Sequence, residues 1–255
     1  MDARIIAGAN HCGWRIGRVE LVRQWKKPTI SGLVRERLSK YRTYWELVHF
    51  AAQQSWMDFE VGDRPWLDEE SSAVFLRMLE NSRSYLEYGG GGSTVLAAKL
   101  HKSFVSVDTD QHFLAAVRRK ISHLAPHQHL VHANIGWTRL CGEPAFKSLG
   151  ARRQKKWKAY AELPWKFVAP GSMPDLVMVD GRFRVAAALT SCVHLAQTAE
   201  SRIVVDDYAT RPHYHAIENY AQLVGMAGRM AIFQPPSASS PGIQEAIDHY
   251  SLDWR

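Results

Sequence analysis

The alternation of short apolar runs with segments of helical spacing constrains this fold most strongly. Polar residues or glycine bound the apolar runs, which are SYLEY (84–88), SFVSVD (103–108), HLVHAN (129–134), DLVMVD (175–180), RIVVDD (202–207) and GRMAIF (228–233). Apolar strands that alternate with helices indicate a parallel sheet covered on both faces. The sequence therefore predicts an α/β fold with a doubly wound, mostly parallel, Rossmann-like sheet.

Helical spacing separates most of these runs. We predict helices over residues 65–80, 93–102, 110–121, 185–196 and 213–224, and a terminal helix over 241–255. Residues 135–173, rich in Trp, Pro and Lys, are predicted to form an irregular insertion within a main domain of residues 65–255. Residues 1–64 are predicted to be a basic, helical N-terminal segment.

The net charge of +7 favours anionic partners in general without identifying one. The basic clusters at residues 15–43 and 151–158 indicate solvated helix faces or loops, with a surface for a polyanion as the alternative. No transmembrane or secretory segment is predicted, and the three widely spaced cysteines suggest reduced thiols. We therefore expect a cytoplasmic protein.

Four consecutive glycines, Gly89–Gly92, lie between the first predicted strand and the next helix. In an open parallel sheet, ligands bind at the carboxyl ends of strands, where a glycine loop lets the backbone approach them. The run lacks the lysine of a phosphate-binding P-loop, because Ser93 follows directly. It also lacks the third small residue of the dinucleotide fingerprint, since Thr94 and Val95 occupy that position.

Two carboxylates accompany the glycine run. Glu87 precedes it in an E-x-G-x-G pattern, and Asp108 ends the next strand. The first carboxylate is placed to accept hydrogen bonds from an ammonium group, directly or through water, and the second from two ribose hydroxyls. A ligand with an amino-acid moiety and a ribose, but no phosphate, is S-adenosylmethionine.

With LEYGGGGST and VSVDTD, the chain resembles the class I S-adenosylmethionine-dependent methyltransferases over roughly residues 65–235. The stretches RPWL, DGRFR and DDYATRPHYH further resemble a group of bacterial methyltransferase-like proteins. The resemblance implies that S-adenosylmethionine lies across the first strands. It assigns cofactor contacts to Glu87, Gly89, Gly91, Ser93, Asp108 (ribose) and Asn134 (adenine, where many members have Asp).

Acidic residues end the fourth and fifth predicted strands, at Asp180 and at Asp206–Asp207. These positions are similar to those of catechol-type O-methyltransferases, with Asp207 in place of Asn. The resemblance implies a cation site for Mg²⁺ or Ca²⁺ that activates a substrate hydroxyl. The equally weighted alternative is that these residues cap helices or pair with Arg182 and Arg184.

Further candidates cluster at the same predicted edge of the sheet. Asp180, Asp206 and His213 are the catalytic candidates, the histidine as a general base, and Arg182, Arg184 and Tyr208 are candidates for substrate binding. The fourth strand lacks the Asn/Asp-Pro-Pro-aromatic motif, and the chain has no Pro-Cys pair. Both absences argue against most nucleobase chemistry.

The sequence thus favours an enzyme that methylates an oxygen, and less favourably a nitrogen, of a small-molecule or glycan acceptor. Nucleic acid is disfavoured as an acceptor. The rival hypothesis is a non-catalytic module with this fold that binds RNA or an anionic surface through its basic arm. A homodimer is compatible with the sequence.

Overall fold

The chain folds as two compact units, residues 1–60 and 61–255. The computed structural model describes residues 60–255 except Ala199, together with Tyr41, Tyr44, Trp45 and Val48 of the first unit, which are helical and exposed. The predicted basic segment of residues 1–64 therefore lies largely outside the described residues and stays a prediction.

A seven-stranded sheet forms the centre of the second unit. Its strands are β1 (Ser84–Tyr88), β2 (Ser103–Asp108), β3 (Gln128–His132), β4 (Leu176–Val179), β5 (Arg202–Val205), β6 (Gln222–Ala227) and β7 (Met230–Gln234), in the order β3-β2-β1-β4-β5-β7-β6. β1 to β5 pair in parallel, and β7 is antiparallel to both β5 and β6. The predicted mostly parallel α/β sheet is confirmed.

Helices cover both faces of the sheet. They are α1 (Glu69–Asn81), α2 (Gly92–Lys99), α3 (Gln111–Ile121), α4 (Ala151–Glu162), α5 (Arg184–His194) and α6 (Ile243–Tyr250). On one face, Phe75 of α1 and Ala97 of α2 pack against Tyr85 and Phe104 of the sheet. On the other face, Trp157 of α4 and the alanine-rich α5 pack against β1 and β4. Two separate apolar layers therefore fix the sheet between them.

The segment predicted as a helix over 213–224 was wrong. A 3₁₀ helix spans Pro212–Asn219, and the chain then continues into β6. Exposure in β6 alternates along the strand, as expected for an edge strand with one face against the protein. Gly228, at a positive φ of 53°, begins the turn that returns the chain as β7. This hairpin pattern outweighs the helical spacing of HYHAIENYAQLV.

The insertion at 135–173 is more regular than predicted, because α4 lies within it. Trp157 and Tyr160 point inward from α4 and are each 1% exposed, while the basic residues of α4 face outward.

Two cysteines of the second unit are described: Cys192 is a buried free thiol, and Cys141 is disulfide-bonded. The expectation of reduced thiols is therefore confirmed for Cys192 and wrong for Cys141, while Cys12 lies outside the described residues. Within the described part of the chain, no helix is long and apolar enough to cross a membrane.

Candidate functional site

The strand order reverses between β1 and β4, and this switch point is where open α/β sheets bind ligands. The glycine loop follows β1 at this point. The backbone N–H of Gly89 donates to the carbonyl of Val107 in β2 at 2.8 Å. Asp108, the next residue of β2, therefore lies beside the start of the glycine loop. The two sequence features that predicted a cofactor site are neighbours in the fold.

At two of the four glycines, a side chain would clash with the protein backbone. At Gly89, with φ of 93°, a Cβ atom would lie 2.7 Å from the backbone nitrogen of Gly181. At Gly92, a Cβ atom would lie 1.9 Å from the carbonyl oxygen of Arg64. The chain before α1 and the loop after β4 thus press against the glycine loop from two sides, and any side chain here would displace backbone.

Gly91 is different, because the space beside it is open. A Cβ atom there would meet only the ring of Phe113, at 4.0 Å. Its φ of 172° is extended backbone that any residue adopts, so conformation does not demand glycine here. The open space lies at the N-terminus of α2, where backbone N–H groups lack helical partners. A ligand that approaches the loop closely is a physical reason for glycine at this position.

The carboxylate of Glu87 is enclosed by hydroxyl groups. It accepts hydrogen bonds from Tyr85 at 3.0 Å and Ser106 at 2.9 Å, and also from Ser93 and Thr94. Burial raises the pKa of Glu87, and the four hydroxyl bonds oppose that shift. Since the side chain is fully buried, it anchors the start of α2 to the sheet. The expected direct contact with a ligand ammonium is replaced in this structure by contacts with the loop, and the Ser93 hydroxyl faces Glu87.

Asp108 is only partly covered and accepts a hydrogen bond from the backbone N–H of Asp110 at 2.7 Å. Burial raises the pKa of Asp108 from 3.8 to about 7. Asn134 follows β3 and is exposed, and its Oδ1 accepts from Gly136 N at 3.1 Å and Lys156 Nζ at 2.8 Å. Both residues lie at carboxyl ends of strands on the same side of the switch point.

The three acidic strand ends do converge. Carboxylate oxygens of Asp180, Asp206 and Asp207 lie within 4.8 Å of one another. Burial and the neighbouring Asp206 and Asp207 raise the pKa of Asp180 well above its ordinary value, while Arg184 opposes the rise. Asp206 is only 2% exposed, whereas the side chain of Asp180 is 30% exposed. Asp180 is therefore the member of the trio that solvent reaches most easily.

Three arginines form ion pairs with these three aspartates. Arg184, 4% exposed, bonds Asp180 at 2.8 Å and approaches Asp207 at 3.3 Å. Arg229 bonds Asp206 at 2.8 Å, and Arg211 bonds Asp207 at 2.9 Å. Each carboxylate thus has a cationic partner, and the charges of three acids and three bases cancel. The residues do not fit a resident Mg²⁺ or Ca²⁺, because a cation would have to displace guanidinium groups that already neutralise the trio.

Arg182 differs from these arginines because it makes no ion pair within the described part of the chain. Its Nε is buried without a hydrogen-bond partner, and burial lowers its pKa. Tyr160 of α4 also has a buried hydroxyl without a partner in the described structure. Arg182 was expected to bind substrate. The structure places its stem beside Gly142, at 3.9 Å from a Cβ built on that glycine.

Two further predicted residues, His213 and Tyr208, have their described neighbours outside the glycine loop. The Nε2 of His213 is buried without a partner in the described structure, and burial lowers its pKa although Asp253 opposes this. Tyr208 is 3% exposed, packs against Phe233 and donates its hydroxyl to Glu218. Tyr208 therefore belongs to the apolar core and not to an open pocket wall.

Sequence reasoning missed two residues of this region, Arg229 and Tyr160. Arg229 lies in the β6–β7 turn but was predicted to lie in a strand over 228–233, because the mistaken helix at 213–224 concealed β6. Tyr160 lies in the insertion that was predicted to be irregular. The inward spacing of Trp157 and Tyr160 on α4 was the available signal.

No protein-family model matches the chain, and no curated protein matches it. Among solved structures, the chain is similar to a methyltransferase-like protein from Silicibacter pomeroyi, with 27% identity, a TM-score of 0.62, and coverage of 75% of this chain and 99% of that chain. It also aligns with the N-methyltransferase NodS from Bradyrhizobium japonicum, in complex with S-adenosyl-L-homocysteine. That match has 14% identity, a TM-score of 0.37 and coverage of 76% of this chain and 98% of that chain.

Proposed function

The chain belongs to the class I S-adenosylmethionine-dependent methyltransferase superfamily, and from that premise we propose that it methylates a hydroxyl oxygen of a small-molecule or glycan acceptor. Transfer to nitrogen is the less favoured form of the same proposal. The observation that carries it is the open space at Gly91, in the loop whose first residue, Gly89, bonds the carbonyl of Val107 immediately before Asp108, at the switch point of the sheet.

The open space at Gly91 and the strand ends around it form the candidate cofactor crevice, and its polar side chains suit S-adenosylmethionine. Asp108 offers oxygens to both ribose hydroxyls, and the exposed Asn134 is the candidate for contact with the adenine. Glu87 supports the cofactor indirectly, because it holds Ser93 and Thr94 and thereby the start of α2. The absence of a lysine in the loop agrees with a ligand that carries no phosphate.

When bound, S-adenosylmethionine supplies a sulfonium methyl group whose carbon is already electrophilic. The protein then needs to orient the acceptor, exclude water and take up the acceptor proton. Asp180 is the best candidate for the proton acceptor, because it is partly exposed beside the glycine loop and its pKa is raised. Arg184 fixes its orientation through the bond at 2.8 Å. His213 is the second candidate base, since its lowered pKa keeps the imidazole neutral at pH 7.

A resident cation is not part of the proposal. Arg184, Arg211 and Arg229 supply the positive charge that a metal would bring to the acidic trio. Asp206 and Asp207 are then positioning residues that hold these arginines, and Asp180 is the catalytic residue.

A methyl-transfer screen tests the proposal. The full chain is incubated with S-adenosylmethionine carrying a deuterated methyl group and with panels of phenols, glycans and amines, and products are read by mass spectrometry. We expect label on a hydroxyl compound, and loss of most of that activity in Asp180→Asn. Label on amines alone would contradict the oxygen-directed form of the proposal.

A further inference from the structure

Two buried donor groups in the crevice have no acceptor in the described structure. They are the hydroxyl of Tyr160, a residue that is 1% exposed, and the Nε of Arg182. A buried donor without an acceptor loses its hydration and gains nothing in return. Each such group in a folded protein therefore needs an explanation, and a missing ligand atom is one.

Both groups lie at the glycine loop. The Tyr160 hydroxyl is 2.5 Å from a Cβ built on Gly181, which itself packs against Gly89. Arg182 follows β4, yet its stem lies beside Gly142, whose carbonyl accepts the Thr109 hydroxyl at 3.2 Å. Thr109 follows β2, and β1 lies between β2 and β4. The Arg182 side chain therefore spans the carboxyl end of β1.

Their neighbours of the same type are satisfied. The hydroxyl of Tyr88, whose ring centre is 5.8 Å from that of Tyr160, donates to the Ala161 carbonyl at 2.5 Å and accepts from Trp165 at 2.8 Å. Arg184, two residues after Arg182, bonds carboxylates and carbonyls. The packing of this region thus provides partners for polar groups generally, and leaves these two donors unpaired.

We propose that Tyr160 and Arg182 bind the carboxylate of a ligand held in the crevice. A guanidinium offers donors only, and a tyrosine hydroxyl donates strongly to an anionic oxygen. Their combination in a buried position favours a carboxylate over a neutral acceptor. This inference rests on the proposed function, and the carboxylate belongs either to the amino-acid end of the cofactor or to an acidic acceptor.

Calorimetry with the full chain distinguishes these sources. The probes are S-adenosylhomocysteine, 5′-methylthioadenosine, which lacks the amino-acid end, and benzoate added to protein saturated with S-adenosylhomocysteine. If the carboxylate is the cofactor's, Arg182→Gln weakens S-adenosylhomocysteine about 10- to 100-fold and leaves methylthioadenosine unchanged. If it is the acceptor's, both nucleosides bind as before, and benzoate binding is lost in Arg182→Gln.

The tyrosines provide a matched control. Tyr160→Phe removes an unpaired hydroxyl, so we expect an unchanged melting temperature. It should weaken the binding of the same probe as Arg182→Gln does, but by a smaller factor. Tyr88→Phe removes a paired hydroxyl, so we expect a lower melting temperature and unchanged ligand affinity. The inference is overturned if no probe depends on Arg182, as for a pair that holds only water, or if both nucleosides weaken equally. Failure of the unaltered protein to bind either nucleoside overturns the proposed function instead.

Discussion

The guanidinium of Arg229 holds the carboxylate of Asp206 through two hydrogen bonds, from Nε to Oδ1 at 2.8 Å and from Nη2 to Oδ2 at 3.0 Å. The same Nη2 also donates to the carbonyl of Trp66 at 2.7 Å. Arg229 therefore links the acidic trio to the chain segment before α1. This fork occupies both oxygens that a divalent cation would need on Asp206.

We predict that chelation leaves methyl transfer intact and that Mg²⁺ or Ca²⁺ does not change the melting temperature of the unaltered protein. Arg229→Gln is expected to free the carboxylate of Asp206, and millimolar Ca²⁺ should then raise the melting temperature of that variant by about 2–4 °C, roughly 1 kcal/mol. Differential scanning fluorimetry measures both effects.

Arg83→Ala is the control for this comparison. Arg83 also pairs with an aspartate, Asp175, at 3.4 Å, but it is 92% exposed and follows α1 at the opposite edge of the sheet. Calcium should have no effect on that variant. A melting temperature of the unaltered protein that rises with Mg²⁺ and falls with chelator would contradict the arginine assignment.

The glycine loop offers a pair of substitutions with opposite expected effects. Gly92→Ala places a methyl group against the backbone of Arg64, so we expect a loss of about 1–3 kcal/mol in the free energy of unfolding. Gly91→Leu points into open space, so we expect near-normal stability and at least ~10-fold weaker binding of S-adenosylhomocysteine. Urea unfolding and calorimetry measure the two quantities, and unimpaired binding by Gly91→Leu would count against a ligand at this glycine.

Glu87 provides a test of the loop anchor. Glu87→Gln replaces an oxygen that accepts hydroxyl protons with an amide that donates them. We expect a loss of roughly 1–3 kcal/mol in the free energy of unfolding, because at least one buried hydroxyl is left without an acceptor. Chemical denaturation measures this loss. A variant as stable as the parent, but unable to bind the cofactor, would instead indicate direct ligand contact by Glu87.

The sequence was sufficient for the parts of this fold that depend on local pattern. The short apolar runs predicted β1 to β5 and β7, and Asp110 predicted the start of α3, where it accepts from the His112 and Phe113 N–H groups. The convergence of Asp180, Asp206 and Asp207 also followed from the rule that parallel strands end at one edge. These features need only neighbouring residues or the direction of the strands.

Partners that are distant in sequence were not predictable. Arg229 meets Asp206 only because the β6–β7 hairpin places its turn at that edge, and helical spacing in the preceding segment concealed the hairpin. The same limit applies to the Arg64 backbone, which explains Gly92 through a contact that no local pattern reveals. The glycine run was therefore interpreted as a ligand loop throughout, whereas Gly89 and Gly92 are also needed because neighbouring backbone packs against them.

The raised pKa of Asp108 predicts a pH dependence. Its pKa of about 7 lies above the ordinary 3.8, so the folded protein retains a proton that the unfolded chain releases, and stability falls as pH rises from about 4 to 7. Asp108→Asn should therefore raise the melting temperature more at pH 8 than at pH 5. Binding follows the opposite trend, since ribose hydroxyls need the ionised carboxylate. Affinity for S-adenosylhomocysteine should fall up to ~10-fold per pH unit below 7, and this slope should vanish in Asp108→Asn.

The most direct test of the account is a calorimetric titration of S-adenosylhomocysteine at pH 8 into the unaltered protein and into Asp108→Ala. We predict one site per chain in the unaltered protein and an affinity at least ~10-fold weaker in the variant, because the ribose loses its carboxylate partner. No binding by the unaltered protein at millimolar ligand, or equal binding by both proteins, would contradict a cofactor site between Gly91 and Asp108.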